Sequence, residues 1–193
     1  MALCSKELVN KQPVIDTLQN ELVILKRYVP EDADGLFQAV RDSVEEVYPW
    51  LVWCHPDYQL SESQQWISQQ IQFWDEGKEF SFTIRNRREH LVGGCGLNHL
   101  KPEDKVANLG YWVRSGYTGK GYATAATELL AKFAFDQLDA RRVEIVAAVD
   151  NVPSQRVAAR AGAKREGILR NRLFLHEKSH DAIMYSLVPE DQA

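Results

Sequence analysis

The feature that most constrains this chain is a glycine-rich turn, from Arg114 to Ala126, that joins a predicted strand to a predicted helix. Residues 107–113 place apolar side chains at alternate positions, and apolar side chains recur at helical spacing after the turn. Glycines let the backbone take positive φ, so N–H groups near Gly119 and the N-terminus of the helix can converge on one anion. The turn therefore predicts a diphosphate cradle, whose expected members are Gly116, Thr118, Gly119, Lys120, Gly121, Tyr122 and Ala123.

Two common nucleotide-binding motifs do not fit this turn. A Walker-type loop requires Ser or Thr after Lys120 and Gly at position 114, where Gly121 and Arg114 stand. A dinucleotide fingerprint requires Gly where Thr124 stands. A loop that binds nothing is the remaining alternative, because closely spaced glycines also occur in ordinary connections.

Composition limits the class of protein. The chain has 193 residues, 45% of them hydrophobic, which fits one domain over residues 1–193 with a core at about 21–188. Its net charge of −4 argues against direct binding of nucleic acid, although residues 156–172 carry six basic side chains that suit phosphate groups. No apolar run approaches the ~20 residues of a membrane span, and no signal-peptide pattern occurs. We therefore expect no membrane partner; the oligomeric state stays open.

The cysteines indicate a reducing compartment. They are odd in number and lack the C-x-x-C spacing of a zinc or redox site, so we expect no metal and a cytoplasmic location. Cys95, between glycines on a predicted strand, is expected to be a small buried hydrophobic residue rather than a nucleophile. The three cysteines are Cys4, Cys54 and Cys95.

The order of strand and helix patterns predicts an α/β fold with a mixed, mostly antiparallel central sheet and helices on both faces. Strands are predicted at 21–28, 79–85, 90–100, 107–113, 142–149, 163–169 and 181–188, with 173–175 as a further candidate. Helices are predicted at 31–41, 61–76 with Ser61 as N-cap, 122–138, and from Asp150 to Gly162. Strands 107–113 and 142–149 should be parallel because a helix connects them. Strand 142–149 should be buried on both faces, and Gly110 should mark a bulge or a close backbone approach.

Four motifs occur in a fixed order: Gly110-Tyr-Trp-Val, Gly119-Lys-Gly-Tyr-Ala-Thr, Val149-Asp-Asn-Val-Pro-Ser154, and Gly162 followed by Glu166-Gly167. Together they resemble the GNAT superfamily of acetyltransferases, most closely its ribosomal-protein N-terminal acetyltransferase branch. The resemblance extends from Leu22 to Leu187 and implies a GNAT-like sheet and acetyl coenzyme A as the donor, with its pyrophosphate on the glycine turn. One departure is Gly116, which stands where the family usually has Arg or Gln; Arg114 is a candidate replacement.

The resemblance also implies roles in acetyl transfer. Main-chain N–H groups at Trp112 and Val113 would hold the oxyanion at a bulged strand, and Ser154 would donate a hydrogen bond to the departing thiolate. Asn151 would hold the pantetheine amide, and Arg156 belongs to the basic segment expected near the coenzyme phosphates. Asn and Ser beside a proline also cap helices, so capping is the alternative for both residues.

The acceptor side rests on composition. Residues 48–58 place Trp50 and Trp53 between prolines and outside any clear period, which favours a binding surface, with core packing as the alternative. Asn98 is a further candidate for acceptor binding. Some relatives use a glutamate as a general base, but the corresponding position in this chain is Leu173, so no base is assigned. The remaining candidates are Glu166, His99, Asn98 and the acidic residues near Glu45.

The leading hypothesis is an enzyme that transfers an acetyl group from acetyl coenzyme A to a primary amine by direct attack, the amine being a protein N-terminus, with a ribosomal protein as the candidate partner. Acetylation of a small amine such as a polyamine, an amino acid or an antibiotic is one alternative. A non-catalytic sensor of acyl coenzyme A is another. A serine hydrolase built on Ser154, His176 and Asp181 is rejected because the G-x-S-x-G elbow is absent.

Overall fold

The computed structural model describes residues 15–192, so the prediction for Cys4 lies outside the described residues. This part of the chain forms one eight-stranded sheet with helices. The strands are β1 (Thr17–Gln19), β2 (Val23–Arg27), β3 (Phe80–Asn86), β4 (Leu91–Lys101), β5 (Val106–Val113), β6 (Arg142–Ala148), β7 (Lys164–Leu175) and β8 (Lys178–Leu187). The helices are α1 (Ala33–Arg41), α2 (Val44–Val47), α3 (Leu60–Asp75), α4 (Tyr122–Leu138) and α5 (Val152–Arg160).

The sheet has the order β1-β2-β3-β4-β5-β6-β8-β7, and all neighbours are antiparallel except β5 and β6. This confirms the predicted α/β fold with a mixed, mostly antiparallel sheet, and the parallel β5–β6 pair. Residues 173–175 are not a separate strand but continue β7 after a register shift between Leu169 and Leu173. The three-residue strand β1 was not predicted, since so short a segment shows no period.

Two apolar clusters cover opposite faces of the sheet, as the alternation along β5 shows. Ala107 and Leu109 join a core with α4, whereas Trp112, of opposite parity, packs on the cluster that holds α1 and most of α3. The α4 side contains an aromatic group in which the rings of Trp74 and Phe82 lie 4.9 Å apart and those of Phe82 and Phe133 5.5 Å apart. Truncating such a buried ring typically costs about 3–5 kcal/mol of unfolding free energy.

The sheet splits between β5 and β6. These strands pair only at three positions, from Val106 with Arg142 to Asn108 with Glu144. Beyond them, β5 stays paired with β4 as far as Val113, and β6 stays paired with β8 as far as Ala148. The two strands therefore diverge in the middle of the sheet, and each presents an unpaired backbone edge to the gap.

Two predictions of local structure are wrong, and one of two alternatives for Gly110 is excluded. The β4–β5 register is continuous through the pair Gly96 and Gly110, so Gly110 carries no bulge, and a close backbone approach stays the prediction there; the irregularity lies between Asn98 and Lys101. Strand β6 is not buried on both faces, because Arg142 and Glu144 are half-exposed and form an ion pair at 2.9 Å. The N-cap of α3 is Gln59 rather than Ser61, since a glutamate carboxylate in the first turn accepts the Gln59 N–H.

No helix within residues 15–192 is long and apolar enough to cross a membrane.

Candidate functional site

A cleft of about 870 Å³ runs along the split in the sheet and is lined by residues from both faces of the sheet. Its walls come from β5 and β6, from the glycine turn, from α5, and from the aromatic segment that follows α2. The structure therefore brings together elements that lie more than a hundred residues apart in sequence, such as Trp50 and Ser154. Three chemically different regions line it.

The first region is the glycine turn. Gly116, Gly119 and Gly121 have φ of 81°, 73° and 83°, which confirms the predicted positive φ at each. Gly121 is the N-cap of α4, and within the described residues no side chain caps this helix and no acidic residue lies in its first turn. The first backbone N–H groups of α4 thus lack intrahelical partners, and Tyr122, Ala123 and Thr118 line the cleft beside them. This geometry suits an anion.

Cationic side chains surround the turn in different ways. Lys120 Nζ donates to the Gly116 carbonyl oxygen at 2.9 Å and lies 5.0 Å from the centre of the Tyr117 ring. Arg114 instead points to α1, where its Nε and Nη2 donate to Asp42 Oδ2 at 2.8 and 2.5 Å. Arg114 therefore anchors the turn to α1, and its guanidinium is already engaged.

Helix α5 brings two exposed arginines to the cleft, Arg156 and Arg160. Neither forms an ion pair with another described residue. Their spacing of four places them on one helix face, so Arg160, which was not among the predicted site residues, could have been found from its distance to Arg156.

The second region is the free edge of β5. The Arg114 N–H donates to Val92 O at 2.8 Å, so the alternation of an antiparallel pair directs the Trp112 amide to β4 and the amides of Tyr111 and Val113 to the gap. The Trp112 carbonyl also points to β4, because its oxygen lies 2.2 Å from the position that a Cβ on Gly93 would take. Of the two amides named from sequence, Val113 faces the cleft and Trp112 does not.

The N-terminus of α5 faces this edge. Asn151 is the N-cap of α5, and its Oδ1 accepts the Ser154 N–H at 3.2 Å, as the capping alternative predicted. The Tyr111 hydroxyl donates to the Ser154 carbonyl oxygen at 2.8 Å and lies 3.1 Å from Ser154 Oγ. Burial raises the pKa of Tyr111 to about 12, so its hydroxyl stays protonated near neutral pH. Sequence reasoning missed Tyr111 because 43 residues separate it from Ser154.

The structure separates the candidates for a general base by their contacts and by their distance from the cleft. Glu166 accepts from Arg142 at 2.6 and 2.5 Å and from Ser186 at 2.7 Å, and these bonds lower its pKa to about 2. It stays ionised and engaged, so it is unsuited to accept a proton. Leu173 lines the cleft with an apolar side chain, and His99 lies outside it.

The rejected hydrolase triad is also dispersed. His176 Nε2 lies 3.0 Å from the Tyr48 carbonyl oxygen, and Asp181 Oδ1 accepts the Asn171 N–H at 2.9 Å. Ser154 has its own contacts with Tyr111. The three residues therefore serve separate local contacts.

The third region is an aromatic wall, formed by tryptophan side chains on the face of the sheet opposite to α4. Trp53 is 39% exposed, and its ring lies 5.6 Å from that of Trp112, while Trp50 and Trp66 complete the lining. The predicted segment 48–58 divides between wall and core, because Cys54 and Tyr58 are buried. Core packing is therefore confirmed for part of the segment, whereas acceptor binding by Trp50 and Trp53 stays a prediction.

Polar groups border the aromatic wall. Asn98 Oδ1 accepts from Asn108 Nδ2 at 2.7 Å and lines the cleft, as do Glu46 and Glu79. Glu46 accepts from Ser115 Oγ at 2.6 Å. The cleft thus carries cations beside the glycine turn and carboxylates on the aromatic side. Within the described residues no three His, Cys, Asp or Glu side chains form a group that could hold a metal.

Comparison with known proteins gives a consistent result. Residues 23–164 match the family model described as an acetyltransferase (GNAT) domain. YdaF of Bacillus subtilis, provisionally named a ribosomal N-acetyltransferase, is 29% identical over 177 residues, which cover 89% of this chain and 94% of YdaF. The ribosomal-protein-serine acetyltransferase of Escherichia coli is 30% identical over 106 residues, 55% of this chain and 59% of that protein. The crystallised microcin C7 self-immunity acetyltransferase MccE, in complex with acetyl-CoA and AMP, has a TM-score of 0.82 at 25% identity, covering 88% of this chain and 93% of that chain.

Proposed function

The chain belongs to the GNAT acetyltransferase family, and from that premise we propose that its acceptor is the α-amine of a protein N-terminus, of the ribosomal-protein type. It is an N-acetyltransferase that moves an acetyl group from acetyl coenzyme A to an amine. The acceptor class, the residue roles and a cytoplasmic place of action are the proposed part. One observation supports this class of acceptor above all. The entrance of the cleft is aromatic and bordered by carboxylates, whereas Leu173, at the position where some relatives have a glutamate base, is apolar.

The donor occupies the side of the cleft that faces α4. The uncapped N-terminus of α4 and the positive-φ glycines place backbone N–H groups around the diphosphate, and the positive end of the helix dipole favours its charge. Arg156 and Arg160 lie nearby to attract the remaining phosphate. The pantetheine arm, an extended chain with amides, pairs with the unpaired edges of β5 and β6 in the way that a peptide adds to an open sheet. Asn151 keeps its carboxamide N–H groups for that arm, because only its oxygen serves the cap.

The reaction is a direct displacement. The neutral amine attacks the thioester carbonyl carbon, the carbon–sulfur bond breaks, and the amine loses one proton while the thiolate gains one. The amides of Val113 and Tyr111 point to the gap, where they can stabilise the oxyanion. Ser154 Oγ can donate to the departing sulfur. Tyr111 holds Ser154 in place through two contacts, so we assign it a positioning role.

An α-amine suits this site better than a lysine side chain. Glu46 and Glu79 attract the ammonium form to the entrance, yet no base is assigned at the thioester. An unperturbed α-amine has a pKa of about 8, so a substantial fraction is already neutral at neutral pH, whereas a lysine amine titrates near about 10.4. A site with apolar Leu173 where some relatives have a glutamate base therefore favours the amine that least requires deprotonation by the enzyme.

A thiol-release assay tests the proposal. Purified protein is given acetyl coenzyme A and, in parallel, unblocked peptides with Ser or Ala first, Nα-acetylated peptides with one lysine, and spermidine. We expect kcat/KM for the unblocked peptides to exceed that for the other acceptors by about 10-fold or more, within the roughly 250-fold ratio of neutral amine that a pKa difference of about 2.4 allows. Faster acetylation of the lysine side chain or of spermidine would reject the proposed acceptor class.

A further inference from the structure

The hydroxyl of Tyr28 is an unpaired polar group at the bottom of the acceptor side. Tyr28 directly follows β2, is 2% exposed, and packs edge-on against Trp66 with ring centres 4.9 Å apart. Within residues 15–192 its hydroxyl has no hydrogen-bond partner, although Tyr28 lines the cleft. A buried hydroxyl without a partner carries a free-energy cost, and such a group is most easily explained by a ligand that satisfies it.

A second polar group points to the same place. A Cβ added to Gly94 would lie 2.7 Å from the Tyr28 hydroxyl and 2.7 Å from Trp112 Nε1, so these two atoms are separated by at most twice that distance. The Trp112 indole N–H donates to no other described residue. A side chain at Gly94 would collide with both groups, so the glycine is what lets them pack closely against β4. Open space lies further along the same face of β5, at Gly110, where a Cβ would meet no atom within 4 Å.

The two groups define the chemistry of a complementary ligand. Burial raises the pKa of Tyr28 well above its usual value, so the phenol remains a hydrogen-bond donor at neutral pH. The indole N–H can only donate. Two neutral donors this close to each other suit an uncharged oxygen that accepts two hydrogen bonds, as a carbonyl oxygen does. An ammonium group does not suit this position, because it only donates hydrogen bonds and both protein groups are donors as well.

We propose that the Tyr28 hydroxyl and the Trp112 indole N–H bind the carbonyl oxygen of the acceptor's first residue, so that the enzyme selects α-amino carbonyl compounds. The inference rests on the proposed N-terminal acceptor and adds the feature by which the site would recognise it. Every peptide N-terminus carries a carbonyl one carbon away from the amine-bearing carbon. Polyamines and lysine side chains carry none at that distance, so this pair separates the two classes irrespective of amine pKa.

The test compares two small acceptors with wild-type protein and with Tyr28→Phe. Alaninamide carries the carbonyl, and isopropylamine has the same skeleton with a methyl group in its place. Loss of one neutral hydrogen bond should lower kcat/KM for alaninamide by about 3- to 10-fold and leave that for isopropylamine within about 2-fold. The amine pKa of each acceptor is the same with both proteins and cancels in the ratio. The melting temperature should stay equal or rise, because the substitution removes an unpaired buried hydroxyl.

Tyr58→Phe is the matched control. Tyr58 is buried in the same apolar cluster, but its hydroxyl accepts from Ser63 Oγ at 3.1 Å and it is not among the residues that line the cleft. This variant should lose stability and keep the ratio between the two acceptors. Serinamide, measured beside alaninamide, distinguishes a side-chain hydroxyl from the carbonyl as the group that is bound.

Each remaining outcome decides the inference. If Tyr28→Phe changes alaninamide and isopropylamine equally, or neither, the carbonyl subsite is rejected while α-amine acetylation stands. A loss confined to serinamide also rejects it, because the bound group would then be the hydroxyl. If wild-type protein prefers spermidine to every α-amine, the proposed acceptor class fails first and the subsite fails with it.

Discussion

The two sides of the cleft differ in the groups that line them, because one side presents backbone groups and the other presents side chains. On the side of α4, the groups that face the cleft are backbone N–H groups held by glycines with positive φ and by an uncapped helix. On the acceptor side they are side chains from several separate segments, among them Tyr28, Trp53 and Trp112. A backbone site is encoded within a few adjacent residues. A side-chain site depends on how distant segments pack, and it can change by single substitutions without loss of the donor site.

The comparison predicts that a change in the glycine turn has the largest effect. Gly121→Asp places a side chain at φ 83°, 3.3 Å from Leu22 Cδ2, and adds negative charge where the diphosphate is proposed to bind. Coenzyme A at about 100 times its Kd should stabilise wild-type protein by about 2.7 kcal/mol, and this stabilisation should vanish in the variant. Thermal unfolding with and without coenzyme A measures it.

Gly167→Asp provides the control for that experiment. It introduces the same side chain on β7, where a Cβ meets no atom within 4 Å, and outside the cleft. The stabilisation by coenzyme A should persist there. Equal stabilisation of the Gly121 variant and of wild-type protein would contradict the assignment of the donor site.

The next largest effect is expected where the two sides meet, at Ser154. Ser154→Ala should lower kcat by about 100-fold, the low end for a positioned proton donor, with little change in the KM for acetyl coenzyme A. Tyr111→Phe removes the hydroxyl that holds Ser154 and should slow turnover by about 10-fold, since it acts only through Ser154. Rapid-mixing measurements of thiol release check both values.

The double variant separates positioning from an independent role. If Tyr111 acts through Ser154, adding Tyr111→Phe to Ser154→Ala should lower kcat little further. Should Ser154→Ala reduce the melting temperature and leave kcat within a few-fold of wild type, the Ser154 hydroxyl would serve only its structural contact with Tyr111.

A smaller effect is expected from the aromatic wall. Trp50→Ala and Trp53→Ala should each raise the KM for peptide by about 10-fold, because each removes apolar contact area, and should leave the KM for acetyl coenzyme A unchanged. Trp53 is partly exposed, so its loss should cost little stability. Wild-type kinetics in both variants, or a parallel rise in both KM values, would contradict the division of the cleft into two independent sides.

The same contrast explains what could be predicted from the sequence. Apart from the end of β7, the longer strands and long helices were predicted to within a few residues because their periods are local, and the glycine turn was predicted because positive φ depends on residue type. Tyr28 and Tyr111 were missed as residues of the cleft, since only the packing of distant elements brings them there. Arg160 was missed although its spacing of four from Arg156 is a local signal. Gly110 was predicted to mark either a bulge or a close backbone approach, and the structure excludes the bulge, because the register is unbroken and the space above Gly110 is open. Local sequence can mark an unusual glycine but cannot tell which of these roles it serves.

The smallest effect is expected from a charged cluster that belongs to neither side. Glu166 on β7 accepts from Arg142 on β6 and from Ser186 on β8, which lowers its pKa to about 2 in the folded protein. The unfolded value is higher, about 4.3, so the stabilisation is complete above that pH and is lost as the pH falls through about 2. Glu166→Gln should therefore show a shallower fall of unfolding free energy between about pH 4.5 and 2 than wild-type protein. Its side chain is 41% exposed, so solvent screening keeps the effect small.

Urea titrations of wild-type protein, Glu166→Gln and Glu128→Gln across that pH range measure the difference. Glu128 is an exposed carboxylate on α4 that forms no ion pair within the described residues, so its variant should follow the wild-type curve. Neither variant should change kcat or either KM at neutral pH, because Glu166 is ionised and engaged away from the cleft. If Glu166→Gln instead lost most of its turnover while its stability was retained, this carboxylate would take part in the reaction, and the separation between the charged cluster and the two sides of the cleft would end.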